Sequence, residues 1–377
     1  MYDCIDRYIQ SLIRDSSPER TAWNMERVRA GKPANWNYID GCMLNSLLCM
    51  SKITGEAQYA DFVKQFVDSF ISEDGAIRTY QPEKYNLDDI NEGRVLFPLW
   101  EQSGDDKYRR AADRLYGQLL SQPRTPSGNF WHKLIYPNQV WLDGVYMAQP
   151  FLVQYQKTFG NGDCSDTVGQ IRNVRKYMMD PVNGLFYHGY DESRTAFWAD
   201  KETGCSKSFW LRSIGWFATA LADLLEIMKD TDPEKEIKPV FTGLMRTMLR
   251  YADPETGMYY QVVDQPEREG NYLETSGSCM IAYAMLKGAR LGVLPEEYAA
   301  FGKKTFDGIV RTQLSDENDT LTLGGICLVA GLGPENNRRR DGTFEYYISE
   351  PVVQNDAKGV APFVMCYTEV MRLSQAV

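Results

Sequence analysis

The chain has 377 residues, of which 43% are hydrophobic, and its formal net charge at pH 7 is -10. Its length and apolar content allow a large buried core, whereas the negative charge argues against nucleic acid or an anionic membrane as a partner. The charge does not exclude a small acidic ligand, because a local basic pocket can bind an anion on a negatively charged protein.

Apolar residues recur with helical spacing along the whole chain. The spacing predicts helices near residues 2–14, 38–52, 56–72, 91–103, 105–121, 141–159, 165–179, 209–229, 233–250, 273–291, 295–313 and 359–374. Five connections between them are short and carry turn residues, which indicates antiparallel helix pairs. These connections lie at 53–56, 103–106, 159–163, 230–234 and 292–296. No linker-like stretch interrupts the series, so we expect a single domain spanning 1–377.

The longer connections carry an internal repeat, a glycine followed by hydrophobic and aromatic residues. Its four copies are DGAIRTY at 74–80, SGNFWHK at 127–133, NGLFYHG at 183–189 and TGMYYQV at 256–262. This spacing is expected of helix hairpins joined by loops of variable length. The helix after each long connection is apolar nearly all round, whereas the helix before it is charged on one face. We therefore predict inner and outer helices in an all-α (α/α)6 barrel.

In such a ring, the amino-terminal ends of the inner helices and the long loops should meet at one mouth. Polar and aromatic residues are concentrated in six segments that would lie there. They are Trp36, Tyr38 and Asp40; Asp88, Asp89 and Asn91; Gln139, Trp141 and Asp143; Trp210, Arg212 and Trp216; Tyr272, Glu274 and Ser276; and Asn355, Asp356 and Lys358. Helix capping explains a single acid such as Asp88 or Asp356, but not the tryptophans. Aromatic faces stack on pyranose rings, so we expect a sugar-binding platform.

Asp143 is the most informative of these residues, because it lies in the apolar segment 136–155 near a helix start. A lone acid in apolar surroundings should hold its proton unusually well, as a general acid must. The positive end of the helix dipole favours the anion instead, so burial and a neighbouring carboxylate must outweigh the dipole.

Arg212 is the leading candidate for binding an acidic group of a ligand, because its planar fork can pair with a carboxylate at two points. Lys133 and His188 are expected to help bind that carboxylate or the ring hydroxyls. For His132, a binding role and a place in the core are equally open. Tyr38 is likewise either a wall of the site or part of the core.

The sequence carries no signal for a cofactor or a metal. There is no glycine fingerprint after a strand, no phosphate loop and no metal-ligand spacing, and the chain has only two histidines. Its eight cysteines form no CxxC pair and are interpreted as buried thiols. The charged, amphipathic amino-terminal segment lacks the apolar stretch of a signal peptide, and no membrane-spanning run follows. We therefore expect a cytoplasmic protein; the sequence leaves its oligomeric state open.

Several segments resemble the unsaturated rhamnogalacturonyl hydrolases, glycoside hydrolase family 105. The resemblance is carried by YNLDDINEGRVLFPLW, GNFWHKLIYPNQVWLDGVYM, FWLRSIGW and YLETSGSCM, and it extends in collinear order over essentially the whole chain. It implies an (α/α)6 barrel that removes the 4,5-unsaturated galacturonyl residue from the non-reducing end of pectic lyase products. Residues Leu211, Ser213 and Tyr190 depart from the family pattern, which bears on the leaving sugar more than on the chemistry.

The resemblance also implies a mechanism in which the vinyl ether is hydrated. Asp143 matches the family's catalytic acid, which protonates C4 before water adds at C5 and the hemiketal opens. Asp88 matches the second active-site aspartate, which either holds the water or keeps Asp143 protonated through like-charge coupling.

Other functions fit the same ring. An unsaturated glucuronyl hydrolase acting on glycosaminoglycan fragments would use the same barrel, and so would a sugar epimerase, although two histidines suit an epimerase poorly. A helical-repeat carbohydrate-binding module is the non-enzymatic alternative, but it leaves the apolar surroundings of Asp143 unexplained.

Overall fold

The computed structural model describes residues 2–318 and 320–375. The α-helices in these ranges are α1 (Asp3–Arg14), α2 (Met25–Ala30), α3 (Tyr38–Thr54), α4 (Ala57–Phe70), α5 (Asp88–Asn91), α6 (Leu96–Ser103), α7 (Asp106–Ser121), α8 (Leu142–Thr158), α9 (Ser165–Met178), α10 (Leu211–Ile227), α11 (Asp232–Met248), α12 (Thr275–Arg290), α13 (Glu297–Gln313), α14 (Phe344–Ile348) and α15 (Ala357–Gln375). A 3-10 turn, Glu92–Val95, joins α5 to α6, and two others lie at Pro82–Lys84 and Leu249–Tyr251.

Short antiparallel strand pairs tie the long connections together. Their bounds are β1 (Gln139–Trp141) with β2 (Gly189–Asp191), β3 (Tyr259–Tyr260) with β4 (Leu273–Glu274), β5 (Leu314–Glu317) with β6 (Thr320–Leu323), and β7 (Ile326–Cys327) with β8 (Val352–Val353). The β1–β2 pair sets Trp141 opposite Gly189, just ahead of α8.

The inner wall is a closed ring of six helical segments: α3, the α5–α6 segment, α8, α10, α12 and α15. Each packs on the next, and α15 packs on α3 to complete the circle. The outer helices α4, α7, α9, α11 and α13 pack behind the inner ones. The helix α1 joins them through Tyr367 of α15, whose hydroxyl donates to Asp6 Oδ2 at 3.3 Å. The predicted (α/α)6 barrel is confirmed.

The difference between inner and outer helices follows from their apolar patterns. Every residue of α10 from 211 to 225 is buried, and so is every residue of α12 from 275 to 288. An outer helix such as α7 buries one stripe, which includes Tyr108, Ala111 and Leu115. A helix that is apolar all round is stable only when neighbours cover every face, so such helices form the inner ring.

The glycine repeat marks a turn that returns the chain from an outer helix toward the mouth. Gly75, Gly128, Gly184 and Gly257 all have positive φ, between 75° and 103°. Glycine adopts this conformation without strain. At Gly75 a Cβ atom would also lie 2.5 Å from Arg110 Cβ, so the close approach to α7 requires glycine. The repeat predicted from the sequence is therefore a repeat in structure.

Helical spacing did not reveal the shortest elements. The helices α2 and α14 span six and five residues, too few for an apolar period to be recognised, and the strand pairs span two to four residues each. The helix expected near 91–103 begins earlier, at Asp88, and passes through the 3-10 turn. Within residues 2–318 and 320–375, no helix has the length and apolar character needed to cross a membrane.

Candidate active site

Asp143 lies in the first turn of α8, at the mouth of the ring. Its side chain is 14% exposed, and its Oδ2 atom lies 3.1 Å from Nε2 of His188. The two atoms are not aligned for a hydrogen bond, and neither has another hydrogen-bond partner among the described residues. The backbone places His188 beside α8, because the Leu142 N–H donates to the His188 carbonyl at 3.1 Å.

The other ring nitrogen of His188 is held by a buried tyrosine. Its Nδ1 atom lies 2.7 Å from the hydroxyl of Tyr347, which belongs to α14. Burial raises the pKa of Tyr347 well above its ordinary value, so this hydroxyl keeps its proton. The sequence analysis did not identify Tyr347 as a site residue.

Asp88 begins α5, yet its carboxylate does not cap that helix. The Asp88 backbone N–H donates instead to Asn86 Oδ1, at 3.2 Å. The Asp88 carboxylate lies 2.6 Å from Lys133 Nζ and 3.6 Å from His132 Nε2. Burial alone would raise the pKa of Asp88, but the charge and the hydrogen bond of Lys133, together with the His132 ring when it is protonated, lower it further than burial raises it. Asp88 is therefore ionised at neutral pH.

The pKa of the adjacent aspartate, Asp89, is shifted upward, opposite to that of Asp88. Asp89 Oδ1 accepts a hydrogen bond from Asn86 Nδ2 at 3.0 Å, and no ion pair joins it to a described cation. Burial, together with the charge of Asp88, raises the pKa of Asp89 to about 7. Two neighbouring carboxyl groups thus differ in charge near neutral pH because Lys133 compensates only one of them.

His132 is part of an aromatic wall. Its ring is 2% exposed and stacks on Trp141, with the ring centroids 4.4 Å apart, while Tyr136 packs 4.6 Å from the same indole. Burial lowers the pKa of His132 to about 4, so the ring is neutral at pH 7. Glycine at 144 allows this packing, since a Cβ there would lie 2.8 Å from His132 Nδ1.

Arg212 lies at the start of α10 and is only 1% exposed. Its Nη1 atom donates to the Cys327 carbonyl at 2.5 Å and to Ser276 Oγ at 3.3 Å. Its guanidinium carbon lies 5.1 Å from the ring centroid of Trp210, which stacks on Tyr347. The Nε and Nη2 atoms have no described hydrogen-bond partner, so two sides of the guanidinium can still bind an acceptor.

A second aromatic group continues below the mouth. Tyr38 is half-buried and contacts the edge of Trp216 at a centroid distance of 6.3 Å. Trp216 in turn stacks on Tyr146 at 4.8 Å, and the guanidinium of Arg94 lies 5.3 Å from the Tyr146 ring. Tyr38 is therefore not fully enclosed in the core.

Lys358 closes the mouth where α15 meets the beginning of the chain. Its Nζ atom lies 2.8 Å from Glu26 and 3.0 Å from Asp356. The Asp356 carboxylate also accepts the Lys358 backbone N–H at 3.0 Å, so Asp356 does cap its helix. Glu26, on the short helix α2, was not anticipated from the sequence.

Three residues of the expected mouth instead have structural roles. The Trp36 indole packs on Phe70 and donates to the Asp89 carbonyl at 2.8 Å. Asn355 Oδ1 accepts from the Tyr8 hydroxyl at 2.7 Å. The carboxylate of Asp40 is completely buried and accepts hydrogen bonds from Thr21, Trp23, Asn24 and Asn37.

One described cavity lies away from this cluster, and another lies beside it. One of about 550 Å³ is lined by Tyr80, Tyr85 and Arg114 on the outer side of the ring, and it includes none of the mouth residues. Another of about 320 Å³ adjoins the mouth and is lined by Gln139 and Phe197, among others. Because the larger cavity lacks paired carboxylates and tryptophans, we place the candidate active site at the mouth. Among the described residues, no three His, Cys, Asp or Glu side chains are grouped to hold a metal ion.

Comparisons with known proteins agree with this architecture. The sequence model of Glycosyl Hydrolase Family 88 matches residues 11–374. The chain is 38% identical to a family 105 glycoside hydrolase of C. acetobutylicum ATCC 824, whose structure aligns with a TM-score of 0.89 over 96% of this chain and 98% of that one. The unsaturated rhamnogalacturonyl hydrolase YesR of Bacillus subtilis is 26% identical over 267 residues, which are 68% of this chain and 72% of YesR.

A more distant structure shares the fold alone. It is the unsaturated glucuronyl hydrolase of Bacillus sp. GL1, described as responsible for the degradation of glycosaminoglycan. Its sequence is 14% identical, and it aligns with a TM-score of 0.66 over 92% of this chain and 88% of its own.

The barrel and these matches define a glycosidase. The chain belongs to glycosyl hydrolase family 88, and the expected kinship with family 105 is confirmed.

Proposed function

We propose that the protein removes the 4,5-unsaturated galacturonyl residue from the non-reducing end of oligosaccharides left by rhamnogalacturonan lyases. One observation carries the proposal: two carboxylates share an aromatic mouth, but Asp88 is neutralised by Lys133 and Asp143 faces a histidine. The similarity to YesR supports the pectic substrate. We also propose that residues 1–377 act as a single catalytic domain.

Asp143 is the proposed general acid, which protonates C4 of the double bond. We assign the Tyr347 hydroxyl as the donor to His188 Nδ1, which places the remaining ring proton of His188 on Nε2, facing Asp143 Oδ2. That arrangement leaves the proton of Asp143 on Oδ1, free to move to the substrate. Protonation at C4 develops positive charge on C5 and the ring oxygen.

Asp88 is the proposed acceptor of a proton from the attacking water. Its lowered pKa keeps it ionised, as a base must be, and Lys133 weakens its repulsion of Asp143. Water adds at C5 and gives one proton to Asp88. C5 thereby becomes a hemiketal carbon. The bond from C5 to the ring oxygen then breaks, C5 becomes a ketone, and the hemiacetal left at C1 releases the saturated sugar.

The walls of the mouth supply the proposed substrate contacts. Trp141, Trp210 and Trp216 are the proposed aromatic platform beneath the sugar rings; each is at most 5% exposed and packs on a neighbouring ring, and the half-buried Tyr38 lies beside Trp216. Arg212 is the proposed partner of the uronyl carboxylate through its unengaged Nε and Nη2 atoms. Lys133, His132 and His188 border the reacting ring.

The identity of the leaving sugar decides between the pectic and glycosaminoglycan alternatives. Elimination removes the stereocentre at C4, so unsaturated residues derived from galacturonate and glucuronate are the same sugar. Specificity must therefore arise from the glycosidic linkage and the leaving group. The alternatives are compared by measuring kcat/KM on an unsaturated galacturonyl-rhamnose and an unsaturated chondroitin disaccharide. Faster turnover of the chondroitin substrate would reject the pectic assignment.

The hydration step has a separate test. In D₂O, the acid should deliver one deuteron to a single face of C4, and NMR of the first product formed should detect it there. Asp143→Asn should lose about 10²–10⁴-fold in kcat while keeping its melting temperature. Deuterium distributed over both faces of C4 would indicate tautomerisation after direct attack at C1, and near-normal turnover by Asp143→Asn would remove Asp143 from the mechanism.

A further inference from the structure

The segment 328–343, between β7 and α14, forms one fixed wall of the mouth. Leu332 is completely buried in an apolar cluster with Trp141 and Trp198. The Gly331 N–H donates to the Tyr346 hydroxyl at 2.9 Å, and the Gly333 N–H donates to the carbonyl of Arg340 at 2.8 Å. These contacts hold the backbone of Arg340 at the rim.

The side chain of Arg340 returns toward the sugar platform. A Cβ atom at Gly331 would lie 3.2 Å from Arg340 Nη1 and 3.4 Å from the Trp141 ring. Both groups therefore pack against the same glycine. Arg340 is half-buried, so its guanidinium borders the mouth without being enclosed in the core.

Arg340 differs from its two arginine neighbours in having no acidic partner. Arg339 pairs with Glu350 at 2.8 Å, and Arg338 lies 3.6 Å from Glu335. No hydrogen bond or ion pair joins the Arg340 guanidinium to any residue in the ranges 2–318 and 320–375. An arginine positioned by the fold but left without an acceptor can bind an anion from outside.

The charge of Arg340 reaches across the mouth. Burial tends to raise the pKa of Glu26, but the charge and the hydrogen bond of Lys358, together with the charges of Arg212 and Arg340, outweigh burial and lower that pKa. Glu26 is already paired with Lys358, and Lys133 with Asp88. Arg340 is thus a cation at the rim whose charge lowers the pKa of a carboxyl group, Glu26, inside the site.

We propose that Arg340 binds the carboxylate of an acidic sugar in the leaving group. This inference rests on the proposed function, in which the unsaturated residue enters first and must reach Asp143. The leaving part then points outward past the rim, where Arg340 lies, whereas the buried Arg212 is left for the uronyl carboxylate. Because the protein carries a net charge of -10, a local cation also offsets its repulsion of an acidic chain.

The test compares two substrates that share the unsaturated residue. One is an unsaturated galacturonyl-rhamnose disaccharide, and the other is the trisaccharide extended by a galacturonate. Arg340→Gln should lower kcat/KM for the trisaccharide about tenfold and leave the disaccharide unchanged, since one charge-assisted contact is lost. Arg340→Lys should retain part of the preference. Arg338→Gln, in the same loop, should behave as wild type on both substrates.

The possible results separate the two proposals. An equal loss on both substrates, or no loss on either, overturns the role of Arg340, provided that melting temperatures match wild type. Wild-type turnover of the disaccharide, whose leaving rhamnose carries no charge, reports on the proposed function alone. If wild type cleaves neither substrate, the proposed function fails, and the role of Arg340 fails with it.

Discussion

Oδ2 of Asp143 and Nε2 of His188 lie 3.1 Å apart without the alignment of a hydrogen bond. Catalytic hydrogen bonds are often poorly aligned before substrate binds and tighten in the complex. Since Tyr347 holds Nδ1 of the same ring at 2.7 Å, the imidazole can tilt about that contact toward Asp143. The geometry makes Tyr347 a positioning residue for the proposed acid, which can be tested.

Tyr347→Phe should lower kcat about tenfold with little change in KM. Without the hydroxyl, nothing selects the tautomer in which His188 presents Nε2–H to Asp143. Steady-state kinetics on the unsaturated disaccharide measure the effect. Tyr80→Phe is the matched control, because it also removes one hydroxyl hydrogen bond, to Gln118 at 2.8 Å, outside the site. Equal kinetic losses in the two variants would show that Tyr347 affects activity only through the stability of the fold and does not position His188.

Lys133→Met should shift the acidic limb of the pH–kcat/KM profile upward. In the wild type, Lys133 holds the pKa of Asp88 below its ordinary value despite burial, so Asp88 stays ionised. Without the cation, burial raises that pKa, by about 1–3 units if the loss matches a typical opposite-charge interaction. The variant should therefore lose activity at a higher pH than wild type. Lys84→Met changes an exposed lysine of the neighbouring connection, whose carbonyl accepts from the Leu134 N–H, and should leave the profile in place.

His132 should remain neutral down to acidic pH, and NMR can observe this directly. The chain contains two histidines, so the spectrum of His132→Gln contains only the His188 ring signals. Comparison with wild type therefore assigns the signals of both rings. Burial places the pKa of His132 at about 4, below the value near 6.5 of an unfolded chain. The unfolded state therefore binds this proton first, and the contribution of His132 to stability declines as pH falls from about 6.5 toward 4. A His132 titration midpoint near 6.5 would contradict the buried placement.

The ion-pair network of Asp223 with Arg94 and Lys287 should affect the stability of the fold and not the catalytic steps. Asp223, 3% exposed, lies 2.7 Å from both Arg94 and Lys287. Burial raises its pKa, but these cations outweigh burial and lower it to about 2. Its stabilising effect is thus present above about pH 4, the ordinary range for aspartate, and is lost as pH falls toward 2.

Asp223→Asn should therefore destabilise the protein by about 3–5 kcal/mol, because Arg94 loses its described ion-pair partner and Lys287 keeps only Glu226. Guanidinium unfolding at neutral pH measures the change. Asp232→Asn removes a fully exposed partner of Lys235 and should leave the unfolding midpoint where it is. A loss of less than about 1 kcal/mol in Asp223→Asn would show that the network is weakly coupled to folding.

The sequence predicts what local periodicity controls. The helix expected over 209–229 is observed at Leu211–Ile227, and Asp143 and Arg212 fall at helix starts as anticipated. Contacts between distant segments were not predictable in this way. Arg212 donates to the carbonyl of Cys327, 115 residues away; Arg340 belongs to the irregular segment between β7 and α14, and Tyr347 to the five-residue helix α14. Their positions depend on packing between distant segments, such as the burial of Leu332 beside Trp141. The spacing of apolar residues along the sequence does not predict such packing.

The seam between α15 and α3 has a consequence for biosynthesis. There the Ala357 N–H donates to the Trp23 carbonyl at 2.8 Å, and Lys358 reaches Glu26. A ribosome must therefore translate past codon 358 before this side of the pocket exists. A nascent polypeptide arrested earlier would lack α15, so the ring would stay open and the apolar faces of α3 and α12 would be exposed. Such a chain would be bound by chaperones or cleaved by proteases, and it would not bind substrate.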